Sequence, residues 1–217
     1  TVECGDPRGY REAGVNRLSL GVQSFNDERL AALGRIHSAA QAVRAVEAAR
    51  EAGIQNLNLD LMHGLPGQGE TGACADLRLA LALAPEHLSW YQLTIERNTA
   101  FWRQPPSLPA EDELAAIQAR GEALLRDAGY LNYEVSAYAR SSHRCRHNLN
   151  YWEFGDYLGI GAGAHGKITR AEPGDILRTR KKRQPAHYLA ARGNAFMARC
   201  ETIPVEHLVG DFMLNAL

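Results

Sequence analysis

Two segments of this chain each divide cleanly into an aliphatic face and a polar face, and this division constrains the fold most. Over Arg17 to Gln23, Leu18, Leu20 and Val22 point one way while Ser19, Gly21 and Gln23 point the other. Over Asn56 to Leu61, Leu57, Leu59 and Leu61 share one face, and Asn56, Asn58 and Asp60 share the opposite one. Both read as strands. Between them Asn26 caps a short helix running to Leu33, and Ser38 caps a second over Ala39 to Ala52, which Gly53 stops. Thr71 opens a further helix that ends before Pro85, and His87 to Thr94 reads as a third strand. This β-α-β-α-β rhythm calls for parallel strands joined by crossover helices. A doubly wound sheet buries both strand faces and favours continuous apolar runs. A barrel instead covers the aliphatic faces with helices and presents functional groups at the C-terminal strand ends. Gln23 and Asp60 stand at those ends. The expectation is an α/β chain with a TIM-like barrel.

Beyond residue 98 the texture changes, and a division near residue 100 is expected. Gln104-Pro105-Pro106 and Leu108-Pro109 form a connector. A helix over Glu111 to Ala128 carries Leu114, Ile117, Gly121, Leu124 and Leu125 at helical spacing and is closed by Gly129. Asn132 to Ala139 reads as a strand, followed by a loop containing His147, a glycine run over Gly159 to Gly166, and a basic stretch at Arg178 to Arg183.

The net charge of −1 gives no reason to expect nucleic acid or an anionic membrane as a main partner. No apolar run reaches transmembrane length and no signal peptide opens the chain, so a cytoplasmic location is expected. Both ends read as cut: Thr1-Val2-Glu3 falls in mid-strand, and Phe212 to Leu217 is an apolar helical phrase without a stop. Cys4, Cys74, Cys145 and Cys200 lie far apart, without zinc or iron–sulfur spacing, and read as free thiols.

The densest functional phrase is His147-Asn148-x-x-Tyr151-Trp152. A soft ligand, an amide and two large aromatics suit a flat metal-bearing molecule such as haem, with His147 as candidate iron ligand. Packing is the alternative for each of these residues. The glycine run superficially matches a dinucleotide fingerprint, but no amphipathic helix follows it and no acidic residue ends a later strand. Its glycines read as positions where backbone approaches a ligand closely, with His165 beside them. His63-Gly64-Leu65-Pro66-Gly67 reads as a tight turn at the barrel rim. Asp60, a carboxylate on an inward face, needs a partner such as a ribose hydroxyl or an ammonium group, and Arg35 could meet a carboxylate. Arg180-Lys181-Lys182-Arg183 is either a solvated face or a patch that steers a carboxylate-bearing ligand.

Longer phrases carry a resemblance. Gly14 to Phe25, Asn58 to Gln68, Leu88 to Glu96 and Tyr133 to Ala139 resemble, in order, segments of radical SAM proteins of the oxygen-independent coproporphyrinogen III oxidase superfamily. His147-Asn148-x-x-Tyr151-Trp152, followed by Gly155 to Gly166, resembles within that superfamily the HemW-type haem chaperones. The resemblance implies a partial (β/α)6 barrel, about four of six strands present, over residues 1–100, with an α+β C-terminal extension over 101–217. It implies S-adenosylmethionine contacts at Glu3, Gln23, Arg35, Asp60 and Thr94, and haem contacts at His147, Asn148, Tyr151 and Trp152. It further implies delivery of haem to respiratory membrane proteins, with membrane association and a homodimer left open. The family's C-x-x-x-C-x-x-C motif for a [4Fe–4S] cluster is absent from these 217 residues, and no combination of the four cysteines replaces it. Three functions therefore stand side by side: a haem chaperone, an oxygen-independent coproporphyrinogen III dehydrogenase, and an inactive fragment.

Overall fold

The structure, a computed structural model, describes residues 5–216. It comprises two compact units, Thr1–Arg144 and Cys145–Leu217. The compact units divide between residues 144 and 145.

The first unit opens with helix α1 (Pro7–Glu12), whose N-terminus Asp6 caps by accepting from the Arg8 N–H. Strand β1 (Arg17–Gln23) follows, then α2 (Asp27–Ala32) and α3 (Ala39–Glu51). Asn26 and Ser38 are the observed N-caps, and Ser38 with Gln41 forms a full capping box. Strand β2 (Asn56–His63), helix α4 (Glu70–Ala82) and strand β3 (His87–Gln92) complete the expected alternation. A short helix α5 (Ala100–Arg103), the long helix α6 (Glu111–Asp127), and strands β4 (Leu131–Asn132) and β5 (Ala137–Ala139) finish the unit.

The sheet order is β1-β2-β3-β5-β4. β1, β2 and β3 are parallel, with Leu20 opposite Leu59 and Leu59 opposite Leu88. The aliphatic faces of these strands, with Ala42, Val46 and Ala49 of α3, Ala73 and Leu77 of α4, and Ile117 and Leu125 of α6, form one core. Leu57, Leu59 and Leu61 are fully buried. Each such side chain contributes about 1.5–3 kcal/mol of transfer free energy. Gly121 lets α6 lie directly on Trp90, because a Cβ there would fall 1.9 Å from the indole Cη2.

One expected strand is different. Asn132 to Ala139 does not run straight but folds into the β4–β5 hairpin, in which β5 pairs antiparallel with β3 and β4 antiparallel with β5. The Asn132 amide donates to the carbonyls of Glu134 and Ala137, at 2.6 and 3.3 Å. These local bonds replace ladder pairing, a turn-forming habit of Asn side chains. The parallel part of the partial barrel is thus three strands.

The second unit contains α7 (Arg146–Trp152), β6 (His165–Arg170), β7 (Asp175–Lys181), α8 (Pro185–Leu189), β8 (Met197–Pro204) and α9 (Leu208–Ala216). Its sheet is antiparallel in the order β6-β7-β8. Here too an expectation is corrected: the segment around His147 is a helix, not a loop. Asn148 and Asn150 read as turn formers in isolation. In the fold, Leu149 N–H bonds the Cys145 carbonyl and Glu153 N–H bonds that of Leu149, and Phe154 (φ 57°) ends the helix.

Candidate functional site

The polar faces of β1, β2 and β3 form one hydrogen-bonded surface. Ser19 Oγ donates to Asp60 Oδ2 at 2.9 Å, and Asn58 Nδ2 donates to Asp60 Oδ1 and to Ser19 Oγ, both at 2.7 Å. Both carboxylate oxygens of Asp60 are therefore fixed from below. The Asn58 carbonyl oxygen in turn accepts from His87 Nδ1 (2.6 Å) and Ser89 Oγ (3.2 Å), and His87 Nε2 meets the Tyr133 hydroxyl at 2.7 Å. With Asn58 Nδ2 already donating twice, His87 is assigned as the Nδ1–H tautomer, and its Nε2 accepts from Tyr133. Burial, reinforced by the charge of Arg17, lowers the His87 pKa to about 3, so the ring is neutral.

Toward the C-terminal ends of the strands, the Tyr91 hydroxyl donates to Gln23 Oε1 at 2.8 Å. Gln23 is buried in the left-handed region (φ 69°), and its amide folds back over Gly21, where a Cβ would lie 2.8 Å from Gln23 Nε2. Burial pushes the Tyr91 hydroxyl above its ordinary range and the Asp60 charge adds to this, while Arg35 and the Gln23 hydrogen bond oppose it. Gln23, Asp60 and Arg35 thus all act on one phenol. Thr94 lies just beyond β3, with its hydroxyl 3.3 Å from Glu96 Oε1. It lines an open cleft of about 320 Å³ with Leu33, Gly34, Glu96 and Thr99. Gln23, Arg35 and Asp60 gather around Tyr91. Glu3 lies outside the described residues.

Sequence reasoning missed the β3 contribution. His87, Ser89 and Tyr91 alternate with Leu88 and Trp90 in the same polar/apolar pattern as β1 and β2. That pattern was present, but the roles follow only from register: Asn58 pairs with His87, and Asp60 with Ser89.

In the second unit the phrase His147-Asn148-x-x-Tyr151-Trp152 occupies α7. Residues four apart share a helix face, so His147 sits above Tyr151 and Asn148 above Trp152. The His147 and Tyr151 rings meet edge-to-face, with centroids 4.8 Å apart, and Tyr151 leans on Tyr157 at 4.6 Å. His147 is exposed, and Tyr151 and Trp152 remain 38% and 37% exposed. A histidine nitrogen and two aromatic faces are thus offered to solvent on one short helix. They are not sealed in a core as packing residues would be.

The loop after α7 is anchored by Lys167, whose buried ammonium donates to the Phe154 carbonyl (2.7 Å) and pairs with Asp156 (3.2 Å). It also lies 4.0 Å from the Phe154 ring centroid. Tyr151, Phe154, Tyr157, His165 and Arg178 border a cavity of about 200 Å³. His165 therefore stands beside Tyr151 of α7. Two glycines of the run serve chain packing. A Cβ on Gly159 would fall 2.2 Å from the His165 carbonyl oxygen, and one on Gly166 would fall 2.7 Å from Thr179 Oγ1. These two glycines let chain pack on chain.

Among the described residues the cysteines do not form a cluster site. Cys74 is buried on α4 and burial raises its thiol pKa, Cys145 is half-buried and Cys200 exposed in the other unit, and Cys4 lies outside the described residues. Among the described residues no group of three or more His, Cys, Asp or Glu side chains could hold a metal ion, and no helix is long and apolar enough to cross a membrane. A [4Fe–4S] cluster does not fit this donor set.

Known proteins share long stretches of this sequence. The profile of the Radical SAM superfamily matches residues 6–80. The heme chaperone HemW of Escherichia coli is 55% identical over 192 residues, 88% of this chain and 50% of that protein. The heme chaperone HemW of Haemophilus influenzae is 54% identical over 215 residues, 99% of this chain and 55% of that protein. Over nearly its whole length the chain is similar to HemW proteins, and residues 6–80 carry the radical SAM profile. It spans about half the length of the curated relatives it matches. Among solved structures, coproporphyrinogen III oxidase (HemN) from Escherichia coli, a radical SAM enzyme, superposes with a TM-score of 0.69. That match covers 86% of this chain and 45% of the oxidase at 24% identity, a likeness of fold.

Proposed function

We propose that this protein is a haem chaperone of the HemW type. It binds haem on α7 through His147, Asn148, Tyr151 and Trp152, with His147 as the iron ligand, and hands the haem to respiratory membrane proteins. The observation that carries this reading is the exposed pairing of His147 with Tyr151 on one helix face, in a chain 54–55% identical to proteins named heme chaperone HemW. An imidazole supplies the iron ligand, and the phenol and indole supply flat apolar walls. S-adenosylmethionine would lie over the polar face of β1–β3, using Gln23, Arg35, Asp60 and Thr94, with Glu3 as a further contact. Asp60 suits ribose hydroxyls or the ammonium group, because Ser19 and Asn58 hold both of its oxygens in place. A [4Fe–4S] cluster is assigned to the longer protein and not to these cysteines.

The family division at residue 100, a cytoplasmic location with transient membrane association, and a homodimer belong to the same proposal. The oxidase alternative has the fold likeness alone in its favour.

Absorbance titration with haem tests the chaperone reading. The expected result is a saturable Soret band with one haem per chain. The double variant His147→Ala, Tyr151→Ala should weaken binding at least about tenfold, the loss of roughly 1.4 kcal/mol or more. Unchanged binding in that variant would remove haem from α7.

A further inference from the structure

The basic run expected either to be solvated or to steer a ligand forms one wall of a cleft. This cleft, about 620 Å³, is lined by Gly163, His165, Arg180, Lys181 and Arg183 among others, and no carboxylate lines it. Register explains the convergence: His165 of β6 lies directly opposite Arg180 of β7, so the two side chains share a face of the sheet. Arg183 is brought in by the turn after β7, where Gly163 (φ 74°) sits close enough that a Cβ would be 3.7 Å from Arg183 Cα. Lys181 is turned elsewhere. Its ammonium lies 4.4 Å from the Phe196 ring centroid and 3.0 Å from Met197 Sδ. The charge presented to the cleft is therefore chiefly that of two guanidinium groups, on the exposed side chains of Arg180 and Arg183.

His165 also borders the smaller cavity that contains Tyr151 and Tyr157. It is a wall common to both spaces. Within this one unit an exposed aromatic and imidazole surface thus leads past His165 to a pair of arginines. A ligand matching that sequence of surfaces is flat and apolar over most of its area and anionic along one edge. Haem has that form: an unsaturated macrocycle with two propionate carboxylates on the same edge. Guanidinium forks bind carboxylates in paired, charge-assisted hydrogen bonds, which a bare cationic patch of lysines would not orient.

We propose that Arg180 and Arg183 hold the propionate carboxylates of the haem bound at α7, with His165 lining the passage between them. This rests on the haem-binding reading above, and the test separates the two. The wild-type chain and an Arg180→Ala, Arg183→Ala variant are titrated with haem and with haem dimethyl ester, at low salt and in the same detergent. Haem should bind wild type about tenfold more tightly than the ester does, the scale of one to two charge-assisted contacts. The double variant should bind haem as weakly as wild type binds the ester, while its affinity for the ester stays unchanged. Arg180→Lys, Arg183→Lys should recover part of the loss, and added salt should weaken haem but not ester binding.

Equal haem affinity in wild type and the alanine variant overturns the proposal, as does a parallel loss for haem and ester, which would signal a misfolded sheet. Competition by inorganic phosphate against haem but not against the ester supports an anion-binding cleft. Failure of phosphate to compete, with the haem–ester difference intact, supports one that demands the joined carboxylates. Phosphate displacing haem and ester equally overturns it. Absence of haem binding by the wild-type chain would refute the chaperone reading itself.

Discussion

Gly121→Ala in α6 sets two effects of opposite sign against each other. Alanine is favoured over glycine in a helix interior by about 1 kcal/mol. Against this, the added Cβ would lie 1.9, 2.5 and 2.6 Å from three indole carbons of Trp90, where carbon atoms rest at about 3.5–4.0 Å. A separation of well over an ångström must be recovered, and the indole has nowhere to go. Trp90 is 2% exposed, stacked on His63 with centroids 4.2 Å apart and edge-on to Tyr138 at 6.4 Å. Its backbone N–H is bonded to the Ser136 carbonyl at 2.8 Å, which fixes the main chain that carries the ring. Overpacking of this kind costs about 1–3 kcal/mol, and a gap this short places it at the upper end. The net expectation is a loss of about 2 kcal/mol after the helix gain is subtracted. Urea unfolding followed by circular dichroism would read it as a lowered midpoint at unchanged slope. In a Trp90→Leu background the clash is removed, and Gly121→Ala should become neutral or stabilising by up to about 1 kcal/mol. Wild-type stability for Gly121→Ala alone would refute the contact between α6 and β3 as drawn.

Acid should unfold the first unit through two histidines. Burial lowers the pKa of His63 to about 4, against a hydrogen bond from the ring to Gln118, and that of His87 to about 3. Both folded values lie below the unfolded value, so their contribution is complete above about pH 6.5 and declines as pH falls toward the folded values, at up to roughly 1.4 kcal/mol per pH unit for each ring. His63→Phe should flatten the profile between pH 6 and 4; an unchanged slope would show that His63 is not held neutral. Asn58→Ala should cost about 2–3 kcal/mol and weaken S-adenosylmethionine binding, since His87, Ser89 and Asp60 each lose a partner, and retention of both properties would contradict the network. Gly159→Ala should lower the melting temperature of the chain, because its Cβ meets backbone at His165 and not a side chain that can move.

The elements that alternate cleanly were legible from sequence to within a residue or two. β1 and its flanking caps Asn26 and Ser38 stand where period-two patterning and capping chemistry put them. What failed was local evidence contradicted by tertiary context. Asn148 and Asn150 disfavour helix in isolation, yet α7 forms around the His147–Tyr151 and Tyr151–Tyr157 ring contacts. Asn132 to Ala139 looked like one strand, yet the Asn132 amide closes a turn on Glu134 and Ala137 between β4 and β5. Of the candidate residues, Gln23 and Asp60 were legible because a polar strand end is visible in one dimension. The buttress beneath Asp60, formed by Ser19, Asn58 and His87, depends on register among three strands separated by crossover helices, which no local pattern encodes.

The bridge between Tyr157 and Lys167 has a consequence for solubility. β6 is an outer strand of its sheet, and outer strands present unpaired amides and carbonyls to any passing extended chain. Tyr157 and Lys167 exchange both backbone hydrogen bonds at 2.9 Å, so the middle of that rim is occupied by the protein's own chain. Gly159 and Gly166 make the occupation possible by letting the two backbones close up. On the opposite rim, β8 carries Arg199 and Glu201, charges that discourage templated growth. The chain thereby keeps neighbouring copies from polymerising along this sheet.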